Sequence, residues 1–382
     1  MRDYARASAM SSTAEIDHRH LARAIELAER GRGRVSPNPL VGAVLARDSE
    51  LLGEGYHSAF GAPHAEVEAI RDAGATELCD ATLYVSLEPC AHHGKTPPCT
   101  DAIVQAGIGR VVVASDDPSE HAAGRGLGVL RDEGVEVVVA DGELAARARL
   151  LNQAFRKHAR TGRPWVLCKA AMTLDGKVAT GAGHSKWISS ESSRHLAHHW
   201  RAEFDAVAVG IGTALADDPR LTARLDGVFR QPRRIVFDSC ARLPSSSQLV
   251  REAQRLPLTV VVSRAAPRAA TDTLVAHGAD VLVAAGENET ARIRSALTQL
   301  GESGIGSIML EGGPHLAGAF LDAGEIDELR LFLAPIVLGG RTARSALEGE
   351  GVETIAEAAR ALCVEVARLG EDTLIRARLK EW

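Results

Sequence analysis

The chain has 382 residues, which is too long for one typical domain and suits two. Hydrophobic residues make up 45% and charged residues 25%, as in ordinary soluble globular proteins, and six cysteines in a chain of this size disfavour a disulfide framework. A net charge of −6 with only 4% aromatic residues disfavours nucleic-acid binding and favours a small-molecule substrate.

The beginning of the chain gives no sign of membrane targeting. It lacks the apolar core of a signal peptide, and no apolar run approaches the roughly 20 residues that cross a bilayer. We therefore expect a cytoplasmic protein that does not enter membranes, and we predict that residues 1–14 form a flexible extension.

The first half alternates predicted helices with predicted strands. Helices are predicted at 17–30, 65–73, 100–106 and 141–160, and strands at 40–45, 81–86, 110–114 and 135–140. This alternation favours an α/β sandwich with mostly parallel strands. The segment Thr-Gly-Arg-Pro at 161–164 breaks the pattern, so we predict domains at 15–160 and 164–382.

The second half begins a new α/β unit. Strands are predicted at 165–171, 205–209, 234–238, 258–263, 280–283 and 307–310, and helices at 190–201, capped by Ser190, and at 313–323. Further strands at 329–334, 363–367 and 373–379 suggest an antiparallel edge on a parallel sheet.

Three short motifs of the first half suit one zinc site. His64, Cys90 and Cys99 would supply three ligands and leave a fourth position for water. Glu66, two residues after the histidine, is placed to move protons. The alternative is that these residues form no metal site and are scattered core thiols and a surface histidine. The order of the motifs favours a zinc-dependent deaminase, in which hydroxide attacks a ring carbon that bears an amino group.

The two cysteines are separated by eight residues, whereas Pro-Cys-x-x-Cys is the commonest deaminase pattern. The insertion brings a polar set to the rim of the predicted site: His92, His93, Lys95 and Thr96. We predict that His92, Lys95 and Thr96 bind a substrate phosphate or a polar ring, and a solvated loop is the alternative. A histidine of this loop as fourth zinc ligand is disfavoured because it would exclude the water.

These motifs resemble those of a known family. Residues 37–44, 64–66 and 88–99 are similar to the deaminase domain of bifunctional riboflavin-biosynthesis deaminase/reductases. The resemblance implies a cytidine-deaminase-like three-layer α/β/α sandwich with one zinc per chain. It also implies that Asn38 lies against the substrate.

The second half lacks the Gly-x-Gly-x-x-Gly pattern of a Rossmann domain, since Gly210-Ile211-Gly212 fails at the third glycine. Glu311-Gly312-Gly313-Pro314 stands between a predicted strand and a helix, where backbone N–H groups can approach a phosphate. On this pattern alone, a plain tight turn is equally acceptable.

Residues 169–177, 185–188, 212–222 and 311–314 resemble the reductase domain of the same family. That resemblance implies a dihydrofolate-reductase-like α/β fold and NADPH as cofactor. The implied reactions are removal of the 2-amino group of 2,5-diamino-6-(5-phosphoribosylamino)pyrimidin-4-one and then reduction of the ribosyl group, giving 5-amino-6-(5-phosphoribitylamino)uracil. Family members self-associate, so a homo-oligomer is expected.

Matching motifs to the family also implies residue roles. Lys169, Asp217 and Glu311 would orient the ribose and handle protons. Arg201 and Arg224 would bind the substrate phosphate, in a pocket completed by Ser185 and Leu221. The implied cofactor surface comprises Ala171, Trp187, Thr213, Asp217, Ser239, Gly313, Pro314, His315, Leu316, Ala317, Gly318 and Ala319.

For several of these residues, an ordinary structural role without contact to substrate or cofactor is the alternative. Arg201 ends a helix that looks exposed, Ser239 suits a simple turn, and Trp187 suits a core. His195, His198 and His199 have helical spacings that can trap a metal, but no carboxylate motif accompanies them and no functional metal site is expected there.

Two other functions remain open on the sequence. The first is a deaminase for another base, perhaps in RNA, with the second half as a binding module. The second is a degenerate reductase-like domain that serves only for dimerisation. The acidic charge weighs against the former, and the polar set Lys169, Asp217 and Glu311 weighs against the latter.

Overall fold

The computed structural model describes residues 2–94, 97–120 and 122–382, with side chains from residue 13 onward. The chain divides into two compact units: residues up to Thr161 together with Trp382, and Gly162–Glu381. In that part of the chain, no helix is long and apolar enough to span a bilayer.

The first unit contains one mixed sheet with helices between its strands. Its elements are α1 (Arg2–Ala28), β1 (Gly42–Arg47), β2 (Glu50–Tyr56), α2 (Ala65–Asp72), β3 (Thr82–Val85), α3 (Cys99–Gln105), β4 (Arg110–Val113), α4 (Arg125–Asp132), β5 (Glu136–Val139), α5 (Gly142–Leu151) and α6 (Gln153–Thr161). The strand order is β2-β1-β3-β4-β5. The backbone of residues 2–14, predicted as a flexible extension, is helical as the beginning of α1, and Met1 lies outside the described residues.

The first unit differs from the prediction in three ways. β1 pairs antiparallel with both β2 and β3, so parallel pairing is confined to β3, β4 and β5. β2 was not predicted because Gly53 and Gly55 interrupt its apolar pattern. These glycines let α2 approach the strand, since a Cβ would lie 2.4 Å from the Ala69 oxygen at Gly53 and 2.3 Å from the Ala65 oxygen at Gly55. The predicted helix 141–160 is also two helices, α5 and α6.

Alternate residues of the strands face two separate cores. On one side, Leu45 and Leu83 pack with residues of α2, α3 and α4. On the other side, Val44 and Tyr84 pack with residues of α1 and α5. This period of two places helices on both faces of the sheet, as expected for the three-layer α/β/α sandwich.

The second unit is built on a nine-stranded sheet with the order β11-β10-β9-β8-β12-β6-β13-β16-β15. Its elements are β6 (Trp165–Thr173), β7 (Lys177–Ala179), α7 (Glu191–Glu203), β8 (Ala206–Gly210), α8 (Ile211–Asp217), β9 (Arg233–Phe237), α9 (Gln248–Arg251), β10 (Leu258–Ser263), α10 (Arg268–Ala276), β11 (Asp280–Ala284), α11 (Glu289–Glu302), β12 (Ser307–Leu310), α12 (Pro314–Asp322), β13 (Glu328–Ala334), β14 (Arg344–Ser345), β15 (Cys363–Leu369) and β16 (Asp372–Arg378).

The tail of the chain forms the predicted antiparallel edge. β13 runs parallel to β6, and β16 and β15 then add antiparallel strands. This hairpin is tied to α7 by the buried Asp372, whose Oδ2 accepts the Ser190 N–H at 2.8 Å and the Ser193 hydroxyl at 2.5 Å. The Ser190 side chain caps α7, as predicted, by accepting the Ser193 N–H. The capped helix carries Arg201 in its last turn.

Candidate active sites

The three predicted zinc ligands of the first unit lie together. His64 precedes α2, Cys99 begins α3, and Cys90 lies in the loop between β3 and α3. The His64 Nδ1 atom is 3.2 Å from the Cys99 Sγ and 3.5 Å from the Cys90 Sγ, and all three donor atoms lie within 4.8 Å of one another. Tetrahedral zinc with its usual bond lengths separates such donors by about 3.6 Å, so the set fits zinc.

The charge state of the sulfurs also suits a metal. A hydrogen bond from the Cys99 thiol lowers the pKa of Cys90 to about 4, against the opposing effect of burial. The same hydrogen bond and burial raise the pKa of Cys99. The backbone N–H of Cys99 also points at the Cys90 sulfur, at 3.4 Å. Cys90 is therefore a thiolate at neutral pH, the form that binds zinc.

Glu66 lies in the first turn of α2 and is 3% exposed. Among the described residues its Oε2 atom has no hydrogen-bond partner. Burial and the negative charge of Cys90 raise the pKa of Glu66 to about 7. A carboxyl group with this pKa both accepts and donates a proton near neutral pH, which is the property required of a general acid/base.

A cavity of about 280 Å³ adjoins this centre and is lined by Asn38, His57 and His92, among other residues. His57 was missed from the sequence because it follows the unpredicted strand β2. Its Nδ1 lies 3.0 Å from the Pro63 carbonyl oxygen and its Nε2 lies 3.0 Å from the Asn38 amide nitrogen. Burial lowers the pKa of His57, so the ring is neutral, donates to Pro63 and accepts from Asn38.

Glu88 belongs to the motif at residues 88–99, but no role was predicted for it. Its buried carboxylate accepts the N–H groups of Gly126 at 3.0 Å, Gly124 at 3.1 Å and Asp117 at 3.4 Å. It thereby fixes the backbone at Asp117, Gly124 and Gly126, and Asp117 lines the same cavity as Cys90. Lys95 and Thr96 of the predicted substrate set lie outside the described residues.

The second unit has a cavity of about 700 Å³ at the carboxyl ends of its parallel strands. Most of the predicted cofactor and ribose residues line it: Lys169, Ala171, Thr213, Asp217, Ser239, Glu311, Gly313, Pro314, His315 and Leu316. Ser185 of the predicted phosphate pocket lines it as well. The crevice at the carboxyl ends of parallel strands is where open α/β sheets bind ligands.

A buried cluster of charges occupies one end of this cavity. Glu311 accepts two hydrogen bonds from the Arg201 guanidinium, at 2.5 and 2.9 Å, and lies 3.6 Å from the Lys169 Nζ. Burial alone would favour the protonated carboxyl, but the charges of Arg201 and Lys169 outweigh it and lower the pKa of Glu311 to about 2. Glu311 is therefore a fixed anion that holds two cations.

Arg201 is not the solvated helix end that its sequence position suggested as an alternative. Its side chain is 14% exposed, and its Nη1 also donates to the Thr222 carbonyl at 3.1 Å. Lys169 lies over the Phe332 ring, 5.7 Å from the ring centre. Trp187 is 73% exposed, which excludes the core role considered for it, and its ring contacts the Arg194 guanidinium at 4.6 Å.

The turn before α12 packs against the end of β8 and the first turn of α8. The Gly313 N–H donates to the Thr213 hydroxyl at 2.9 Å, and a Cβ at Gly312 would lie 3.1 Å from the Gly210 nitrogen. Further along α12, Ala317 and Ala319 are buried in the core. A Cβ at Gly318 would lie 1.2 Å from the Glu348 oxygen. These three residues of the predicted cofactor surface are therefore helix-packing positions.

The predicted phosphate residues divide into buried and exposed ones. Leu221 is buried, whereas Arg224 is exposed and its N–H points at the His198 Nδ1, at 3.4 Å. Burial and the charges of Arg201 and Arg224 lower the pKa of His198 to about 4. His198 thus adjoins the two arginines rather than forming a metal site with its neighbours. Within the described ranges, the zinc set is the one group of three His, Cys, Asp or Glu donors placed to hold a metal.

Both halves of the chain match models of known protein families. Residues 14–115 match the cytidine and deoxycytidylate deaminase zinc-binding region, and residues 164–375 match the RibD C-terminal domain.

Individual relatives extend the match over nearly the whole chain. The riboflavin biosynthesis protein RibD of Actinobacillus pleuropneumoniae is 41% identical and covers 93% of each chain. That of Escherichia coli K12 is 39% identical and covers 94% of this chain and 98% of its own.

Solved structures give the same result. A RibD structure from Acinetobacter baumannii has a TM-score of 0.84 at 36% identity, covering 96% of this chain and 99% of its own. A deaminase/reductase from Thermotoga maritima has a TM-score of 0.82 at 34% identity, with the same coverage. The chain therefore belongs to the RibD family of bifunctional riboflavin-biosynthesis deaminase/reductases.

Proposed function

We propose that the two units catalyse successive steps on one pyrimidine ribosyl phosphate. The first unit removes the 2-amino group of 2,5-diamino-6-(5-phosphoribosylamino)pyrimidin-4-one, and the second reduces the ribosyl chain of the uracil product to ribityl with NADPH. The T. maritima relative is described as a deaminase and reductase for these compounds. The observation that carries the proposal is the unpartnered, buried Glu66 oxygen beside three convergent zinc donors.

In the first unit, Glu66 is the group that moves protons. It takes a proton from the attacking water and delivers it to the ring nitrogen. It then takes the remaining proton of the new hydroxyl group and delivers it to the departing amine, so that the amino-bearing carbon becomes a carbonyl and ammonia leaves. Zinc held by His64, Cys90 and Cys99 supplies the Lewis acidity that makes water nucleophilic near neutral pH.

The rest of the first cavity would bind and orient the ring. Because His57 accepts from the Asn38 nitrogen, the Asn38 side-chain oxygen remains available as an acceptor for a substrate donor. His92 lines the same cavity. Roles for Lys95 and Thr96 in binding the substrate phosphate stay predictions.

In the second unit, the substrate ring must open before C1' accepts hydride. A ribosylamine opens to an iminium ion when its ring oxygen takes a proton, and Lys169 would give that proton. Glu311 holds Lys169 and Arg201 in position, and Asp217, which lines the cavity, contributes to orientation. Binding of the substrate phosphate in a pocket made by Arg201, Arg224, Ser185 and Leu221 stays a prediction.

The cavity fits a dinucleotide in size and in its donors. Its volume lies in the usual range for ligand sites, and residues at the start of α12, where helix N-termini favour anionic groups, line it. Thr213, Ser239 and Gly313 would hold the cofactor, and NADPH supplies the hydride. Self-association and a cytoplasmic location stay predictions.

A direct test follows the products by mass spectrometry. Purified protein is incubated with the diaminopyrimidine phosphate, with and without NADPH, and we expect the uracil intermediate without NADPH and the ribityl product with it. E66A should retain one zinc and lose deamination, while still reducing supplied uracil intermediate. Normal deamination by E66A would refute the role given to this carboxyl group.

A further inference from the structure

The cavity of the second unit is long enough to hold both ends of an extended cofactor. Lys169 lies on β6, whereas Ser239 and Arg242 follow β9, and all three line the cavity. β9 is three strands from β6 in the sheet order. At the usual strand spacing these two ends are about 14 Å apart. A dinucleotide whose reactive ring lies near Lys169 therefore carries its adenosine end over β9.

The loop after β9 presents an arginine beside an enclosed carboxylate. The Asp238 side chain is 0% exposed, and its Oδ2 accepts the Leu243 N–H at 2.8 Å. Its Oδ1 has no hydrogen-bond partner among the described residues and lies 3.8 Å from the Arg242 Nε. The Arg242 side chain is 60% exposed. The accessible group at this position is thus the guanidinium and not the carboxylate.

This arrangement bears on the choice between the two nicotinamide cofactors. Enzymes specific for NAD place a carboxylate against the 2'-hydroxyl of the adenosine ribose, whereas an arginine at the same place accommodates the 2'-phosphate of NADP. Arg292 of α11 is a second cation at this end of the cavity. The Glu289 carboxylate also lines it, but it lies 3.8 Å from the His315 Nδ1.

We propose that Arg242, oriented by Asp238 and assisted by Arg292, binds the 2'-phosphate of the cofactor and makes the second unit select NADPH over NADH. This inference rests on the proposed reductase function. A guanidinium can direct two N–H groups at a phosphate while its Nε remains next to a carboxylate oxygen. Binding of the phosphate would thus also satisfy the unpartnered Oδ1 of Asp238, by drawing the Arg242 Nε into hydrogen-bond range.

The test measures binding rather than turnover. Calorimetry with the full chain compares NADP⁺ with NAD⁺, and 2',5'-ADP with 5'-AMP. R242A should weaken NADP⁺ and 2',5'-ADP by roughly ten- to hundredfold, the effect of losing a charged hydrogen bond, and leave NAD⁺ and 5'-AMP unchanged. D238N should weaken the same two ligands by a smaller factor. R268A changes an arginine whose side chain is 94% exposed and outside the cavity lining, and it should alter none of the four affinities.

The outcomes separate the inference from the function on which it rests. If R242A changes the affinities for NADP⁺ and NAD⁺ equally, or changes neither, Arg242 does not read the 2'-phosphate, although the reductase function stands. The same holds if the whole effect belongs to R292A. If the unaltered chain binds neither NADP⁺ nor 2',5'-ADP, the reductase function fails together with the inference.

Discussion

Replacing Glu311 with glutamine removes the anion that holds two buried cations while keeping the shape of the side chain. The neighbouring charges lower the pKa of Glu311 from 4.5 to about 2. At 1.36 kcal/mol per pKa unit, the ionised form contributes about 3 kcal/mol to the stability of the second unit at neutral pH. A second estimate of the same loss agrees, because breaking a buried ion pair by removing one partner destabilises proteins by about 3–5 kcal/mol.

The effect of Glu311 should depend on pH in one direction. Because its folded pKa lies below its unfolded value, the stabilisation is complete above about pH 5 and is lost as the pH falls from about 4.5 to about 2. The difference in unfolding free energy between the unaltered chain and E311Q should therefore be about 3 kcal/mol at pH 7 and shrink towards pH 2.

The measurement is a urea titration of the full chain, monitored through amide hydrogen exchange in Trp165–Thr173 and Glu191–Glu203. Because both segments belong to the second unit, this readout reports on that unit alone. E348Q is the matched control, because Glu348 also accepts two hydrogen bonds from an arginine, Arg344, but its side chain is 34% exposed. Surface pairs of this kind contribute at most about 1 kcal/mol. An E311Q chain as stable as E348Q at pH 7 would refute the reasoning.

Two further substitutions test the first unit. C99S should weaken zinc binding by more than the roughly 10- to 100-fold cost of changing an outer-shell partner, as measured by competition with a chromophoric chelator. C79S changes an exposed thiol and should leave zinc affinity unaltered. Zinc bound by C99S with unaltered affinity would exclude Cys99 as a ligand. G55A places a Cβ 2.3 Å from the Ala65 oxygen and should displace α2, costing about 1–3 kcal/mol in urea titrations and weakening zinc binding through His64. G128A has no atom within 4 Å of its new Cβ and should do neither, so equal behaviour of the two glycine variants would contradict the packing argument.

The sequence predicted the elements that depend on local pattern. β10 and β12 agree with the expected strands because each is a continuous apolar run buried in a parallel sheet. The zinc ligands could be recognised because His64 with Glu66, Cys90 after a proline, and Cys99 follow one another in the order typical of a zinc deaminase. By contrast, β2 was missed because its glycines serve close packing by α2, and the packing partner is not visible within the strand itself.

Contacts between residues that are far apart in the sequence could not be predicted from local pattern. Arg201 and Glu311 are 110 residues apart, and nothing in either motif indicates that the helix end and the strand end meet. The orientation of the His57 ring likewise depends on hydrogen bonds with Asn38 and Pro63, which lie on separate loops. The resemblance to a family supplied the identity of Arg201 and Glu311 but not of His57, and the charge states of all three follow from burial and partners.

Those charge states decide how proton transfer is divided in the second unit. The sequence assigned orientation and proton handling jointly to Lys169, Asp217 and Glu311. A carboxyl group with a pKa of about 2 carries no proton near neutral pH, so Glu311 cannot act as the acid that opens the ribose ring. Its two hydrogen bonds from Arg201 also leave it poorly placed to accept one. Lys169 lies 3.6 Å from this fixed anion, so in this pair we assign orientation to the glutamate and the role of proton donor to the lysine.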